Sequence, residues 1–119
     1  MFDIPTSYTN YGKSLIDLAA PGGDAAAYPK VNWAWDYVIS SGAGPNAEGG
    51  YPFYYAAGTS MASPHVAGVA ALIIAKNGGK ISPQEVTKQL LKTADKIGGN
   101  GMSAYYGNGR VNAFRAVTE

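Results

Sequence analysis

Ser60 is the residue of this sequence best suited to act as a nucleophile. It follows Gly58 and Thr59 and opens an uncharged stretch, ending at residue 75, in which nearly every residue is small or apolar. A helix that is apolar all round is typically buried, so we expect Ser60 at the mouth of a buried helix. The backbone N–H groups that a helix leaves unpaired at its start can stabilise an oxyanion. The alternative is that Ser60 only caps the helix, which is the commoner role of a serine in this position.

A serine nucleophile also needs a base within hydrogen-bond reach and a group that orients the base. His65 is the single histidine of the chain. Five positions along a helix place it about 140° round the axis from Ser60, so it cannot easily turn back to the Ser60 hydroxyl. We therefore predict that His65 is a packed and hydrogen-bonded helix residue.

Residues 58–68 (GTSMASPHVAG) resemble the nucleophile segment of the subtilisin-like serine proteases over eleven consecutive positions. Residues 7–12 (SYTNYG) and 16–22 (IDLAAPG) are similar to the segment that leads to the nucleophile in that family. Residues 106–113 (YGNGRVNA) resemble its closing motif. The resemblance covers nearly the whole chain except about residues 23–55, which we interpret as a variable insertion.

The resemblance implies a role for each residue around Ser60. Ser60 would be the acyl-forming nucleophile and would contribute its own N–H to the oxyanion hole. Thr59 would support that hole, and Gly58 would let the substrate backbone approach closely. The family's catalytic Asp, its catalytic His and its oxyanion Asn lie on upstream segments that this sequence does not contain. The aspartates of the chain match no catalytic motif of the family: Asp3, Asp17, Asp24, Asp36 and Asp95.

The function implied by the resemblance is that of a serine endopeptidase. This chain would supply the nucleophile segment and would be inactive alone, and its partners would be a protein or peptide substrate and the upstream segment with His and Asp. The alternative is a non-catalytic structural or binding module that retains the fold. The resemblance also implies a secreted parent protein and leaves calcium possible in the complete enzyme. Asp17 is a weak candidate for a cation ligand, because one carboxylate lacks the several oxygens that calcium requires.

The order of the elements predicts an α/β fold. By resemblance it would be the C-terminal part of a three-layer sandwich with a mainly parallel sheet and a buried nucleophile helix. Residues 15–20 form an apolar run that predicts a buried strand. The aromatic and β-branched residues 33–40 and 51–55 predict a hairpin inside the insertion.

Two further helices are predicted from their start signals. Ser82, followed by Pro83 and by Glu85, has the pattern of a capping box. The helix that it opens should turn its apolar residues inward and its lysines toward solvent: Val86, Leu90 and Leu91 against Lys88 and Lys92. Asn112 is expected to cap a last short helix through Ala116.

Composition excludes several other classes of protein. The formal net charge is +1 with 14% charged residues among 119, which favours neither nucleic acid nor an anionic membrane as a partner. The absence of cysteine excludes disulfides and thiolate chemistry. The first five residues lack the basic and apolar regions of a signal peptide, and the apolar run after Ser60 is shorter than the ~20 residues of a membrane span.

Overall fold

The computed structural model of the chain describes residues 3–24, 26, 36–42, 44–45, 49–50, 52–99 and 102–119. Two strands precede three helices along the chain. The strands are β1 (Val38–Ser41) and β2 (Phe53–Ala56), and the helices are α1 (Thr59–Lys76), α2 (Pro83–Thr93) and α3 (Ala113–Thr118). Within these described ranges, no helix has the length and apolar character needed to cross a membrane.

Helix α1 carries Ser60 and is covered on one side only. Val69 and Ile73 are its buried residues, and they form the core with Val86 and Leu90 of α2 and Ala116 of α3. Other apolar side chains of α1 face solvent, among them Leu72 at 50% exposure. The expectation of a buried nucleophile helix is therefore not met in this chain, because α2 and α3 pack against a single face of α1.

The end of α1 follows the sequence signals. Lys76 lies in its last turn, and the side-chain amide of Asn77 donates to the Ile73 carbonyl over 2.8 Å. Gly78 and Gly79 then adopt positive φ values of 61° and 75°, which residues with a side chain rarely adopt. The helix thus ends at a basic residue followed by glycines, which is a common pattern at helix C-termini.

Helix α2 confirms its predicted start and orientation. Ser82 and Glu85 form the capping box, with the Glu85 amide donating to the Ser82 hydroxyl and the Ser82 amide donating to the Glu85 carboxylate. Val86 and Leu90 are buried, and Lys88 and Lys92 are exposed.

Helix α3 begins as predicted. The Arg115 amide donates to the Asn112 side chain at 2.9 Å, and the helix runs past Ala116 to Thr118.

Strands β1 and β2 form the predicted hairpin. They pair in antiparallel register, with Val38 opposite Ala56 and Ser41 opposite Phe53. The predicted positions 33–35 and Tyr51 lie outside the described residues. Among the predicted positions that are described, 36, 37 and 52 lie outside the strands, so both strands begin later than expected, and both end one residue later.

The buried strand predicted at residues 15–20 is wrong. Leu15 lies in a turn and is 79% exposed. Pairing is limited to two isolated bridges, an antiparallel one from Leu18 to Gly107 and a parallel one from Ala19 to Arg110. Among the described residues the paired strands are those of the antiparallel hairpin, so the mainly parallel sheet is not found there. Residues 18 and 19 are therefore held against the closing motif by one bridge each, and they form no continuous strand pairing with it.

Candidate active site

Ser60 lies at the start of α1 without acting as its cap. The helix begins at Thr59, its N-cap is Gly58, and no side chain makes a capping hydrogen bond there. Ser60 is thus the second helical residue, and it is exposed. The geometry removes the alternative in which this serine only caps the helix, and it leaves the hydroxyl in solvent beside the first N–H groups of α1.

Gly58 holds the backbone in a conformation that fixes the approach to Ser60. Its φ of 150° and ψ of 163° fall in a region that is populated essentially by glycine. Its N–H donates to the Gly22 carbonyl at 2.7 Å, and its own carbonyl accepts from the Met61 amide at 3.0 Å. The turn at residues 21–23 therefore positions the nucleophile loop.

His65 turns away from Ser60. Its Nδ1 donates to the Met61 carbonyl at 2.7 Å, one helical turn back. The predicted hydrogen bond is confirmed, but the predicted packing is wrong, because His65 is exposed on the uncovered side of α1. This ring is engaged with the backbone and is not set up as the base for Ser60.

The carboxylates with described partners belong to structural contacts. Asp95 accepts from Arg110 at 2.9 Å, from Asn112 at 3.0 Å and from Arg115 at 3.5 Å. The Arg110 guanidinium, followed by the Asn112 amide, holds the pKa of the Asp95 carboxyl below its usual value. Arg110 also binds Asp3 at 2.7 Å.

Asp24 joins two loop segments. Its carboxylate accepts from the Ala26 amide at 2.8 Å and from the amide and hydroxyl of Ser7. The Ala26 N–H, with the Ser7 donors, lowers the pKa of Asp24. Among the described residues, neither Asp24 nor Asp95 hydrogen-bonds to His65, and no catalytic pair forms.

Comparison with known proteins identifies the family of this chain. Residues 4–109 match the Subtilase family, peptidase S8. The chain belongs to the subtilase family. It is 37% identical over 117 residues to the thermophilic serine proteinase of Bacillus sp. strain AK1, covering 98% of this chain and 23% of that protein. It is also 37% identical to thermitase of Thermoactinomyces vulgaris, covering 97% of this chain and 32% of thermitase.

Solved subtilase structures share the fold. A lanthipeptide protease superposes with a TM-score of 0.73 at 30% identity, over 92% of this chain and 36% of that one. A protease from Pseudoalteromonas arctica gives 0.69 at 36% identity, over 94% of this chain and 31% of that one. The predicted subtilisin-like α/β fold is confirmed, and the chain spans about a quarter to a third of the length of these relatives.

The structure gives no support to Asp17 as a cation ligand. Its backbone carbonyl accepts from the amide and the side chain of Asn108, at 2.8 Å and 3.1 Å. In the part of the chain that the structure describes, no three His, Cys, Asp or Glu residues cluster as metal ligands. The roles of Ser60, Thr59 and Gly58 in this subtilase segment remain predictions, which the geometry around Gly58 makes testable.

Sequence reasoning missed the contacts that hold the site in place. Gly58 donates a hydrogen bond to Gly22, which lies 36 positions earlier in the chain. Asp95 accepts hydrogen bonds from three residues that lie 15 to 20 positions later. The resemblance of residues 16–22 to the family's upstream segment did not identify Gly58 as the partner of Gly22. Hydrogen bonds between distant segments leave no periodic pattern in a single sequence.

Proposed function

We propose that this chain is the nucleophile segment of a subtilisin-like serine endopeptidase and that Ser60 forms the acyl-enzyme. The observation that carries the proposal is the position of Ser60. It is exposed at the second residue of α1, free of a capping role, within a segment that matches the subtilase family. A serine held in this way has its hydroxyl in solvent and backbone donors beside it.

In the proposed reaction, the Ser60 oxygen attacks the carbonyl carbon of a peptide bond while its proton passes to an imidazole base. The Ser60 N–H stabilises the oxyanion of the tetrahedral intermediate, Thr59 supports this hole, and Gly58 leaves room for the substrate backbone. The base then protonates the leaving amine, and water releases the acyl group. Because the single histidine lies five residues along α1 from Ser60 and bonds to the Met61 carbonyl, the proposal places the base and the carboxylate that orients it outside these 119 residues.

The proposal extends to the place of the chain in the peptidase domain, to calcium and to secretion. These three points rest on the resemblance and on named relatives. The chain would be the C-terminal portion of the peptidase domain, with residues 23–55 as an insertion that carries the hairpin. One relative is the calcium-dependent protease of Nostoc sp. strain PCC 7120 and another is the extracellular protease of Xanthomonas campestris. They support calcium in the complete enzyme and secretion of the parent protein.

A second candidate is a structural or binding module that has the subtilase fold without its activity. The position of the single histidine favours it for the isolated chain, because His65 lies five residues along α1 from Ser60 and its ring bonds to the Met61 carbonyl instead. The two candidates differ in what happens when the remaining catalytic segments are supplied.

The test is intact-mass spectrometry after treatment with a fluorophosphonate probe. We expect no adduct on the isolated chain and one adduct on Ser60 when a polypeptide with the subtilase His and Asp segments is co-expressed. Ser60→Ala should abolish the adduct, while Ser63→Ala, a matched change at an exposed serine of the same helix, should retain it. An unlabelled complex would overturn the protease proposal and favour the module.

A further inference from the structure

The turn at residues 21–23 is held from two sides. On one side the Gly22 carbonyl accepts the Gly58 amide at 2.7 Å. On the other side the Tyr8 hydroxyl shares its single proton between the Gly22 carbonyl, at 3.0 Å, and the nearer Gly23 carbonyl. A carbonyl oxygen has two lone pairs and can accept both donors. Tyr8, Gly22 and Gly58 therefore form a hydrogen-bonded relay that ends two residues before Ser60.

The packing leaves little freedom in this relay. A methyl group added at Gly22 would lie 3.0 Å from the Gly58 carbonyl oxygen and 3.3 Å from the Tyr8 hydroxyl. A methyl group at Gly23, where φ is +72°, would lie 2.7 Å from the Asp36 carbonyl oxygen and 3.2 Å from the Ala57 side chain. The turn is thus wedged between the segment of Tyr8 and the backbone that leads from β2 into α1.

A second contact brings the segment of Tyr8 to the turn. The residue before Tyr8, Ser7, donates its amide to Asp24 at 3.1 Å and its hydroxyl at 3.3 Å. Asp24 directly follows the turn in the chain. Two neighbouring residues of one segment, Ser7 and Tyr8, therefore bond to consecutive residues of the other, and the Ser7–Asp24 bonds restrain the backbone that carries the Tyr8 ring.

We propose that Tyr8 is a positioning residue for the Ser60 nucleophile, acting through the Gly22 carbonyl on the Gly58 amide. Gly58 has a conformation that persists only when its surroundings determine it, and its two backbone hydrogen bonds supply that restraint. The Tyr8 hydroxyl fixes the acceptor of one of them. The inference rests on the proposed function for its effect on catalysis, but its effect on Gly58 is independent of any activity.

The first test measures hydrogen exchange of the Gly58 amide by NMR in the 119-residue chain. Tyr8→Phe removes the hydroxyl and keeps the ring, and exchange at Gly58 should become about two- to fivefold faster, less than for a direct loss of its own bond, because the variant only frees the Gly22 acceptor. The Ile73 amide, in the core of α1, should be unaffected. The matched control is Tyr11→Phe, because the Tyr11 ring packs on Tyr105 and its loss of a hydroxyl should leave Gly58 unchanged.

Gly22→Ala provides a second variant at the other end of the relay. The added methyl group should displace the Gly58 carbonyl by a few tenths of an ångström and also speed exchange at Gly58. Unchanged exchange at Gly58 in Tyr8→Phe would overturn the proposal. An equal acceleration at Ile73 would overturn it too, because Tyr8 would then support global stability and not the position of the loop.

The second test uses the assembled, probe-reactive form. Tyr8→Phe should lower kcat about five- to tenfold with KM within about twofold of wild type, since a misplaced nucleophile slows the chemical step more than substrate binding. A change confined to KM would contradict a positioning role. If wild-type Ser60 takes no probe, the proposed function fails, whereas the exchange measurement still decides whether Tyr8 positions Gly58.

Discussion

At the scale of single residues, Gly58 shows how the nucleophile loop depends on a conformation that only glycine adopts readily. A methyl group there would meet nothing closer than the Met61 sulfur at 3.6 Å. The obstacle to substitution is therefore the backbone angle and not a clash. A residue with a side chain at φ 150° is strained whatever space surrounds it.

Gly58→Ala should lower the free energy of unfolding by about 1–3 kcal/mol, the usual cost of such backbone strain. Urea denaturation followed by circular dichroism measures it. Gly68→Ala is the matched control, since Gly68 is exposed inside α1 with nothing within 4 Å of an added methyl group. That change should stabilise the chain by about 0.5–1 kcal/mol. If the two substitutions changed the free energy of unfolding by the same amount, the positive φ of Gly58 would not be a source of strain for a residue with a side chain.

Asp95 is the residue that joins the closing motif to α2. Its backbone pairs with Arg110 in both directions, at 2.8 Å and 3.0 Å, and its side chain binds three donors. The lowered pKa of Asp95 means that its contribution to stability is fully present above the unfolded value of about 3.9 and is lost as the pH falls through the folded value.

Asp95→Asn should lower the free energy of unfolding by about 2 kcal/mol at about pH 7, because an amide cannot accept from all three donors. The difference from wild type should begin to shrink below about pH 4, where the carboxyl of the unfolded chain takes up a proton, and should be lost as the pH falls through the lowered folded pKa. Urea unfolding at about pH 7 and about pH 3 measures both effects. Asp17→Asn, a matched change at an exposed aspartate, should change the free energy of unfolding at about pH 7 by less than about 0.5 kcal/mol. A difference that is the same at both pH values would contradict the charge-based role.

At the scale of elements, α1 is a helix with one covered face. Neighbouring isoleucines report the two sides, with Ile73 at 1% exposure and Ile74 at 41%. Ile73→Ala should lower the free energy of unfolding by about 2–5 kcal/mol, the range for an isoleucine truncated in a core. Ile74→Ala should change it by less than about 1 kcal/mol. Thermal unfolding of both variants checks this, and a large loss at Ile74 would show that its side of α1 is covered in solution.

The elements that sequence reasoning predicted are those whose signals are local. The Ser82 capping box, the inward stripe of α2 and the Asn112 cap each lie within a few residues of the helix that they start. Composition showed that α1 is apolar but not which of its faces has a neighbour, so its burial was overpredicted. The strand expected at residues 15–20 failed because its partners, Gly107 and Arg110, lie about 90 positions away.

The candidate site also has features that local sequence predicts and features that depend on distant parts of the chain. The position of Ser60 near the start of a helix and the failure of His65 to reach Ser60 both follow from the sequence, since each depends on helix geometry over a few residues. The support of Gly58 by Gly22, and of Gly22 by Tyr8, depends on how loops meet in space. That part required the structure.

At the scale of the whole molecule, the chain exposes more surface than a compact protein of its size. Its accessible surface is 8081 Å², against about 6,100 Å² for a typical folded monomer of this mass. Its radius of gyration is 16.0 Å, against about 13.5 Å for a compact domain of this length. Large apolar side chains are exposed on α1, at Leu72 and Ile74, and on the hairpin, at Phe53, Tyr54 and Tyr55.

The isolated chain should therefore bind a hydrophobic dye or self-associate, because large exposed apolar patches favour contact with other apolar surfaces. Dye fluorescence and light scattering across a concentration series measure the two behaviours. Addition of the His- and Asp-bearing polypeptide should suppress both if it covers α1. A compact monomer without dye binding would contradict the expectation.

The contacts between the closing motif and the beginning of the chain also bear on how it folds. Asn108 bonds to Asp17 across 91 positions, and Arg110 bonds to Asp3 across 107. Such contacts between distant residues raise the contact order. They slow folding, because a long loop must close, at a cost in entropy, before each contact can form. During synthesis, the segment around Asp17 emerges well before residues 107–110 and must wait for them without its partners. Residues 108 and 110 are thus synthesised about 90 to 110 positions after the residues that they hold in place.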